Sequence, residues 1–157
     1  MTTINIICVD DQREVLSAVV RDLAPLASFF NIEECESADE CEELLEELDA
    51  TGEQVALIIS DHVMPIKTGV QLLTDLANDP RFRSTKKILL TGLATHADTI
   101  KAVNQAHIDH YLEKAWDGAE LLQISKQLLT EFVVEQGLDY QEYLSVLDAP
   151  TLYKLIQ

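Results

Sequence analysis

The sequence predicts a doubly wound α/β domain, and three observations carry that prediction. Short apolar runs recur along the chain, and each ends in polar or acidic residues. Segments with apolar residues at helical spacing separate them, so that a strand returns about every 25 residues. Right-handed crossovers between parallel strands then place helices on both faces of the sheet. With 157 residues, 47% of them apolar, the chain fits one domain plus a short appendage, and a core can form without disulfides or a structural metal.

The first element is a β-branched apolar run over Ile4–Val9 that stops at Asp10-Asp11. It reads as a buried strand. From Arg13 onward Val15, Leu16, Val19, Val20 and Leu23 recur at helical spacing until Pro25 disturbs the pattern. Residues 30–36 form a second strand. Ser37 followed by Glu40 has the spacing of a capping box, and Cys41, Leu44, Leu45 and Leu48 mark the apolar face of the helix it opens. Eleven acids fall between Glu33 and Glu53, and they read as a solvated face.

Residues 55–59 are the most continuous apolar run, as a central parallel strand covered on both sides requires, and they lead into Ser60-Asp61. After a turn carrying Pro65 and Gly69, a third helix is marked by Val70, Leu72, Leu73, Leu76 and Ala77 and closed by Asn78-Asp79-Pro80. Residues 88–90 make a fourth strand ending at Thr91-Gly92, and Ile100, Val103 and Ala106 punctuate a fourth helix. His110–Glu113 is a fifth strand ending at Lys114, followed by a long helix through Leu121, Leu122, Ile124, Leu128, Leu129 and Phe132. The domain is expected over residues 1–134, with a helical extension over 135–157. In that extension Leu138, Tyr140, Tyr143, Leu144 and Leu147 suit a small amphipathic helix, with Leu152, Tyr153, Leu155 and Ile156 beyond Pro150. The tail reads equally as a segment packed on its own domain and as an arm for a partner or a second copy.

Charge excludes one class of function. Eleven Lys and Arg against 28 Asp and Glu give a net charge of -17, with no basic residue between Arg21 and Lys67. Counterion release from DNA needs a basic face, so direct nucleic-acid binding is not expected. No apolar stretch approaches the roughly 20 residues of a membrane span. The start Met-Thr-Thr-Ile lacks the pattern of a signal peptide, and cysteines at 8, 35 and 41 fit neither a disulfide set nor a metal quartet. A reducing cytoplasm is the expected location. A dinucleotide-binding domain is disfavoured because no Gly-rich fingerprint follows the first strand.

Ligands of open α/β sheets sit outside the carboxyl ends of the strands. Those ends carry Asp10-Asp11, Asp61, Thr91-Gly92 and Lys114. Three carboxylates in one crevice repel each other, and a hard divalent cation taking oxygen ligands neutralises them, with magnesium the expected ion. Because magnesium binds through few carboxylates and recruits phosphate oxygens, the set points to phosphoryl transfer.

These residues resemble the receiver domain of response regulators, the phosphorylatable half of two-component signalling, over a stretch from Asn5 to about Phe132. The marks are Asp10-Asp11, the Asp-x-x-Met-Pro-x-x-x-Gly stretch from Asp61 to Gly69, Leu90-Thr91-Gly92, and Tyr111-Leu112-Glu113-Lys114. The resemblance implies a flavodoxin-like five-stranded parallel sheet in the order 2-1-3-4-5, an order for which this family's chemotaxis regulator is a standard example. It also implies that Asp61 accepts a phosphoryl group from a phosphohistidine on a sensor histidine kinase or phosphotransfer protein. Asp11, Asp61 and the backbone carbonyl of Val63 would hold magnesium, with Asp10 acting mainly through water. Lys114 would pair with a phosphoryl oxygen, Thr91 and the amide of Gly92 would bind the phosphoryl group, and Tyr111 would turn inward with Thr91 as a switch. Output would follow through an unidentified partner protein or a phosphorylation-dependent homodimer.

Three features mark this chain within that pattern. Ala115 stands where the family usually has proline after the lysine, so the Lys114-Ala115 peptide is expected to be trans. Trp116-Asp117 resembles receivers attached to cyclic-di-GMP phosphodiesterase or transcription-activator modules. Val63 and Leu93, two past Asp61 and Thr91, are apolar where the family flanks the path of the hydrolytic water, which implies a long-lived phosphorylated state. His107 and His110 are three apart but fall at a helix end and a strand start, so they are not expected to hold a metal. Two other readings stand behind this one. A pseudo-receiver would bind partners without phosphorylation. A haloacid-dehalogenase-like phosphatase would need a general acid two residues past the nucleophile, where Val63 stands.

Overall fold

The structure is a computed structural model that describes residues 3–92 and 104–157. Ile100, Val103 and Leu93 therefore lie outside the described residues. Five strands, β1 (Ile4–Val9), β2 (Asn31–Cys35), β3 (Gln54–Asp61), β4 (Lys86–Thr91) and β5 (His110–Glu113), form one sheet in the order 2-1-3-4-5. Every pairing is parallel. The expected doubly wound α/β fold is present.

Alternation along the strands divides the core into two layers. Ile6 and Cys8 of β1 and Leu57 and Ile59 of β3 face one side, where they meet Leu16, Val19 and Leu23 around helix α1 (Arg13–Asp22) and Leu121 and Leu129 of α4 (Gly118–Glu135). Ile7, Val9 and Ile58 face the other side, against Cys41 and Leu45 of α2 (Ala38–Ala50) and Leu72 and Leu76 of α3 (Gly69–Ala77). Because β1 and β3 are covered on both faces they read as nearly continuous apolar runs, broken in β1 by the buried Asn5. All three cysteines are buried and free, and burial pushes the Cys8 thiol up.

Local chemistry sets the boundaries. Ser37 caps α2 by accepting the Glu40 amide at 3.1 Å, while the Glu40 carboxylate reaches the Glu36 amide at 3.0 Å. Thr68 and Gln71 close a complete capping box on α3. Pro25 sits in a single 3-10 turn over Ala24–Leu26 that ends the first crossover. The central strand runs two residues past the apolar stretch, so Asp61 is its last residue and not the start of a loop.

The tail differs from expectation. The small amphipathic helix expected around Tyr140 and Leu147 is only a 3-10 turn, Tyr140–Tyr143. Pro150 does not separate two helices; it lies in the first turn of α5 (Ala149–Ile156), where a missing amide leaves no bond unmade. Tyr143 is buried against Phe30, with ring centroids 5.5 Å apart, and Val146 and Leu147 join the same core layer. Asp148 caps α5 through the Thr151 amide, accepts Gln123 Nε2 at 2.7 Å, and donates its own amide to Thr130 Oγ1 at 2.9 Å. Residues up to Leu152 are thus fastened to α4 by burial and by hydrogen bonds. Tyr153 and Ile156 remain exposed.

Candidate functional site

Strand register assembles the site. Val9 stands opposite Ser60 across β1 and β3, so the next residues, Asp10 and Asp61, emerge side by side at the carboxyl edge. Asp61 faces Leu90 of β4, and Thr91 faces Glu113 of β5, which brings Thr91 and Lys114 to the same edge. The Lys114 amide donates to the Thr91 carbonyl at 2.7 Å. Residues separated by more than 100 positions in sequence therefore share one crevice.

Asp10 and Asp61 are each 1% exposed, whereas Asp11 is exposed. Carboxylate oxygens of the three lie within 4.8 Å of one another. Lys114 Nζ stands 2.9 Å from Asp61 Oδ1 and 3.8 Å from Asp10 Oδ2. Asp10 Oδ1 accepts the Gln12 amide at 2.8 Å, which holds that carboxylate at the start of α1. Asp10 Oδ2, Asp61 Oδ1 and Oδ2, and Thr91 Oγ1 are buried with no hydrogen-bond partner among the described residues, the Lys114 contact to Asp61 being an ion pair outside hydrogen-bond geometry. Buried polar atoms are paired in the great majority of cases, so four such atoms converging on one crevice mark a place built to receive something polar.

Electrostatics agree. Burial pushes Asp10 up to about 6, with the Gln12 amide opposing and the Asp61 charge adding. Burial also raises Asp61, although the Lys114 contact and charge pull it down and Asp11 pushes it up. Burial by itself would lower Lys114, yet the Asp61 contact and the surrounding carboxylates outweigh it and the ammonium is held above its ordinary value. One cation does not balance three acids. A divalent ion fits this donor set: hard oxygen ligands, excess negative charge, and orphaned carboxylate oxygens.

The loop after Asp61 is fixed by Gly69. A Cβ at Gly69 would stand 2.0 Å from the Asp61 carbonyl oxygen, and the Gly69 amide donates to the His62 carbonyl at 2.9 Å. The spacing from Asp61 to Gly69 is visible in the sequence, but this reason for it is not. Val63 lies in that loop with its side chain 71% exposed. The shielding expected of Val63 and Leu93 therefore rests on one exposed side chain and one residue outside the described ones. Gly92 is exposed, with open space where a Cβ would stand. Tyr111 is 44% exposed, turned outward from the sheet edge.

No peptide bond among the described residues is cis, the Lys114-Ala115 bond included, as expected without proline. Ala115 instead adopts φ 70, in the left-handed region that a proline ring forbids. Sequence reasoning missed this turn, and it also missed the Trp116 indole, which donates to Asp22 Oδ2 at 2.8 Å and ties the segment after Lys114 to α1.

Residues 6–126 match the response regulator receiver domain family. The chain belongs to that family. It is 32% identical over 129 residues to the response regulator Rre1 of Synechocystis sp., covering 80% of this chain and 52% of that protein. It is 30% identical over 122 residues to the hydrogenase transcriptional regulatory protein HoxA of Cupriavidus necator, covering 78% of this chain and 23% of that one. The receiver thus spans about half the length of the first and about a quarter of the second. Among solved structures, the signal receiver domain of an HD domain-containing protein from Pseudomonas fluorescens is 31% identical, with TM-score 0.72 over 83% of this chain and 97% of that one. A CheY-like receiver from Methanospirillum hungatei is 25% identical, with TM-score 0.71 over 85% and 99%. The chain carries a response regulator receiver domain, which is consistent with two-component signalling. No helix among the described residues is long and apolar enough to cross a membrane.

Proposed function

We propose that this receiver, acting in the cytoplasm, accepts a phosphoryl group on Asp61 in a magnesium-dependent reaction and changes its partner binding or self-association as a result. The observation that carries this reading is the Asp61 carboxylate itself: buried at the end of the central strand, in ion-pair contact with Lys114 through one oxygen, and with neither oxygen accepting a hydrogen bond among the described residues. The donor is a phosphohistidine of a sensor kinase or phosphotransfer protein. An Asp61 oxygen attacks phosphorus, the P–N bond breaks with its electron pair leaving on the imidazole nitrogen, and an acyl phosphate forms.

Asp11, Asp61 and the Val63 carbonyl would hold magnesium, with Asp10 acting mainly through water; when bound, the ion supplies charge neutralisation and orientation of phosphoryl oxygens. Lys114 is placed to follow the charge from the carboxylate to the phosphoryl oxygens, since its ammonium already lies 2.9 Å from Asp61. Thr91 offers a hydroxyl with no hydrogen-bond partner among the described residues, and Gly92, an exposed residue, offers its amide for the remaining oxygens. When Thr91 turns toward the phosphoryl group it vacates space on the path to Tyr111, whose ring starts half-exposed and can move in. The added charge of about -1.5 to -2 biases that choice.

Incubation with a small phosphodonor and magnesium, followed by intact mass, is expected to show one phosphoryl adduct, lost with Asp61→Asn or on chelation. A folded protein of unchanged mass under saturating donor returns the reading to a pseudo-receiver. Light scattering with and without a phosphoryl mimic tests the switch, which fails if mass and partner binding are identical in both states.

A further inference from the structure

Four of the eleven basic residues of this acidic chain fall between Arg81 and Lys87, at the amino end of β4. That end lies about 13 Å of strand away from Thr91, outside the phosphoacceptor crevice. Arg81 is spent on α2, but Arg83, Lys86 and Lys87 line a separate cleft of about 440 Å³ together with His107, Asp109 and Glu135. Each of its two acids makes one contact within the fold, only that of Glu135 being an ion pair. Glu135 takes the Lys86 ammonium at 3.0 Å, and Asp109 accepts the Lys87 backbone amide at 2.8 Å.

Lys87 is the unusual member. It is 3% exposed, yet its ammonium donates only to the Thr85 carbonyl, at 3.1 Å, and makes no ion pair among the described residues. An ammonium has three donors, so two are left without partners among the described residues in the wall of the cleft. Burial lowers this lysine from its ordinary range, with the Asp109 charge opposing and Lys86 adding. Arg83 and His107, both exposed, likewise form no ion pair among the described residues. A buried, under-bonded cation beside two free donors, in a cleft much larger than a water molecule, is complementary to an oxyanion.

We propose that this cleft is a second ligand site, for a small molecule carrying a phosphate or carboxylate group, with Lys87, Arg83 and His107 receiving the oxyanion. Such a site would let the receiver respond to a small anion independently of its phosphoacceptor.

Inorganic phosphate and succinate serve as separate probes of the two ligand sources, titrated into the full chain in chelator while backbone amides are followed by NMR. With at least one anion, saturable shifts are expected at residues 83–87 and 107–109, with Asp10, Asp61 and Lys114 unmoved. Arg83→Ala removes an exposed side chain and does not threaten folding; it and Lys87→Met should each weaken binding about tenfold or more, the loss of one charge-assisted contact. No saturable shift with either anion, shifts centred on Asp61 and Lys114, or binding unchanged by Arg83→Ala would each overturn the site.

Discussion

Around Arg81 four charged groups meet at the surface: the guanidinium bonds Glu46 at 2.7 Å, Asp79 at 2.8 Å and Asp49 at 3.3 Å, and lies over the Phe82 ring. Around Asp61 four charged groups also meet, but two of the three acids are buried and key oxygens have no hydrogen-bond partner among the described residues. The Arg81 bonds hold Glu46 and Asp79 below the usual carboxylate range, whereas burial pushes Asp10 and Asp61 above it. Each group in the first cluster is answered within the fold. The second leaves buried carboxylate oxygens for a cation or phosphoryl group to answer, and that dissatisfaction marks it as a candidate site.

The largest effect that separates the two clusters is expected from Asp61→Asn. It should abolish the phosphoryl adduct altogether while raising the melting temperature in metal-free buffer, since it removes a buried carboxylate that burial disfavours. Intact mass and thermal melts on the same sample measure both. If the variant melts below the native protein, the Asp61 charge is structurally satisfied and the contrast with Arg81 collapses.

Next in size is Gly69→Ala. The added Cβ meets the Asp61 carbonyl at 2.0 Å, so the loop must shift, and a loss of about 3 kcal/mol is expected from overpacking against backbone. Gly92→Ala is the control, because nothing lies within 4 Å of its Cβ and its effect on stability should stay within about 0.5 kcal/mol. Equal losses in denaturant melts would mean that Gly69 is not the buttress of Asp61.

Much of this was legible beforehand, for identifiable reasons. Strand ends are marked by abrupt changes from apolar runs to Asp10, Asp61 and Thr91, and a parallel topology gathers such ends at one edge without any knowledge of contacts. The Ser37 and Thr68 caps act over three residues and so appear in sequence. What sequence could not supply depends on pairing at a distance. The Trp116 bond to Asp22 joins residues 94 positions apart, and the burial of Lys87 follows from what packs over β4. In the tail, Pro150 reads as a break in either case, and only the Asp148 cap shows that it opens a helix.

A third test uses pH. Asp10 in the folded protein titrates at about 6, above its ordinary 3.8, so between those values the native state holds a proton that the unfolded chain has lost. Stability from this group is therefore complete below about pH 4 and is lost as pH rises through 6, to the extent of about 2 to 3 kcal/mol. Carboxylates such as Glu46 and Asp79 run the opposite way, so the difference between native and Asp10→Asn melts isolates the contribution. Magnesium competes with the proton, and it should stabilise the native protein above pH 6 and do nothing near pH 4. A magnesium effect that is independent of pH would show that the ion binds elsewhere.

The smallest expected effect belongs to Arg81→Ala. Its partners are exposed acids that water solvates well once the guanidinium is gone, and each ion pair has already given up side-chain freedom to form. The melting temperature should move less than it does on adding magnesium at neutral pH, and the difference from the native protein should shrink as salt rises toward about 1 M, where screening reaches within a few ångströms. The magnesium-dependent shift should persist in that salt, because Asp10 and Asp61 are shielded from the electrolyte by burial. If Arg81→Ala costs more than removal of magnesium, or if both effects fade alike with salt, burial is not what distinguishes the two clusters, and the reading of Asp61 as the unsatisfied centre of the domain loses its physical basis.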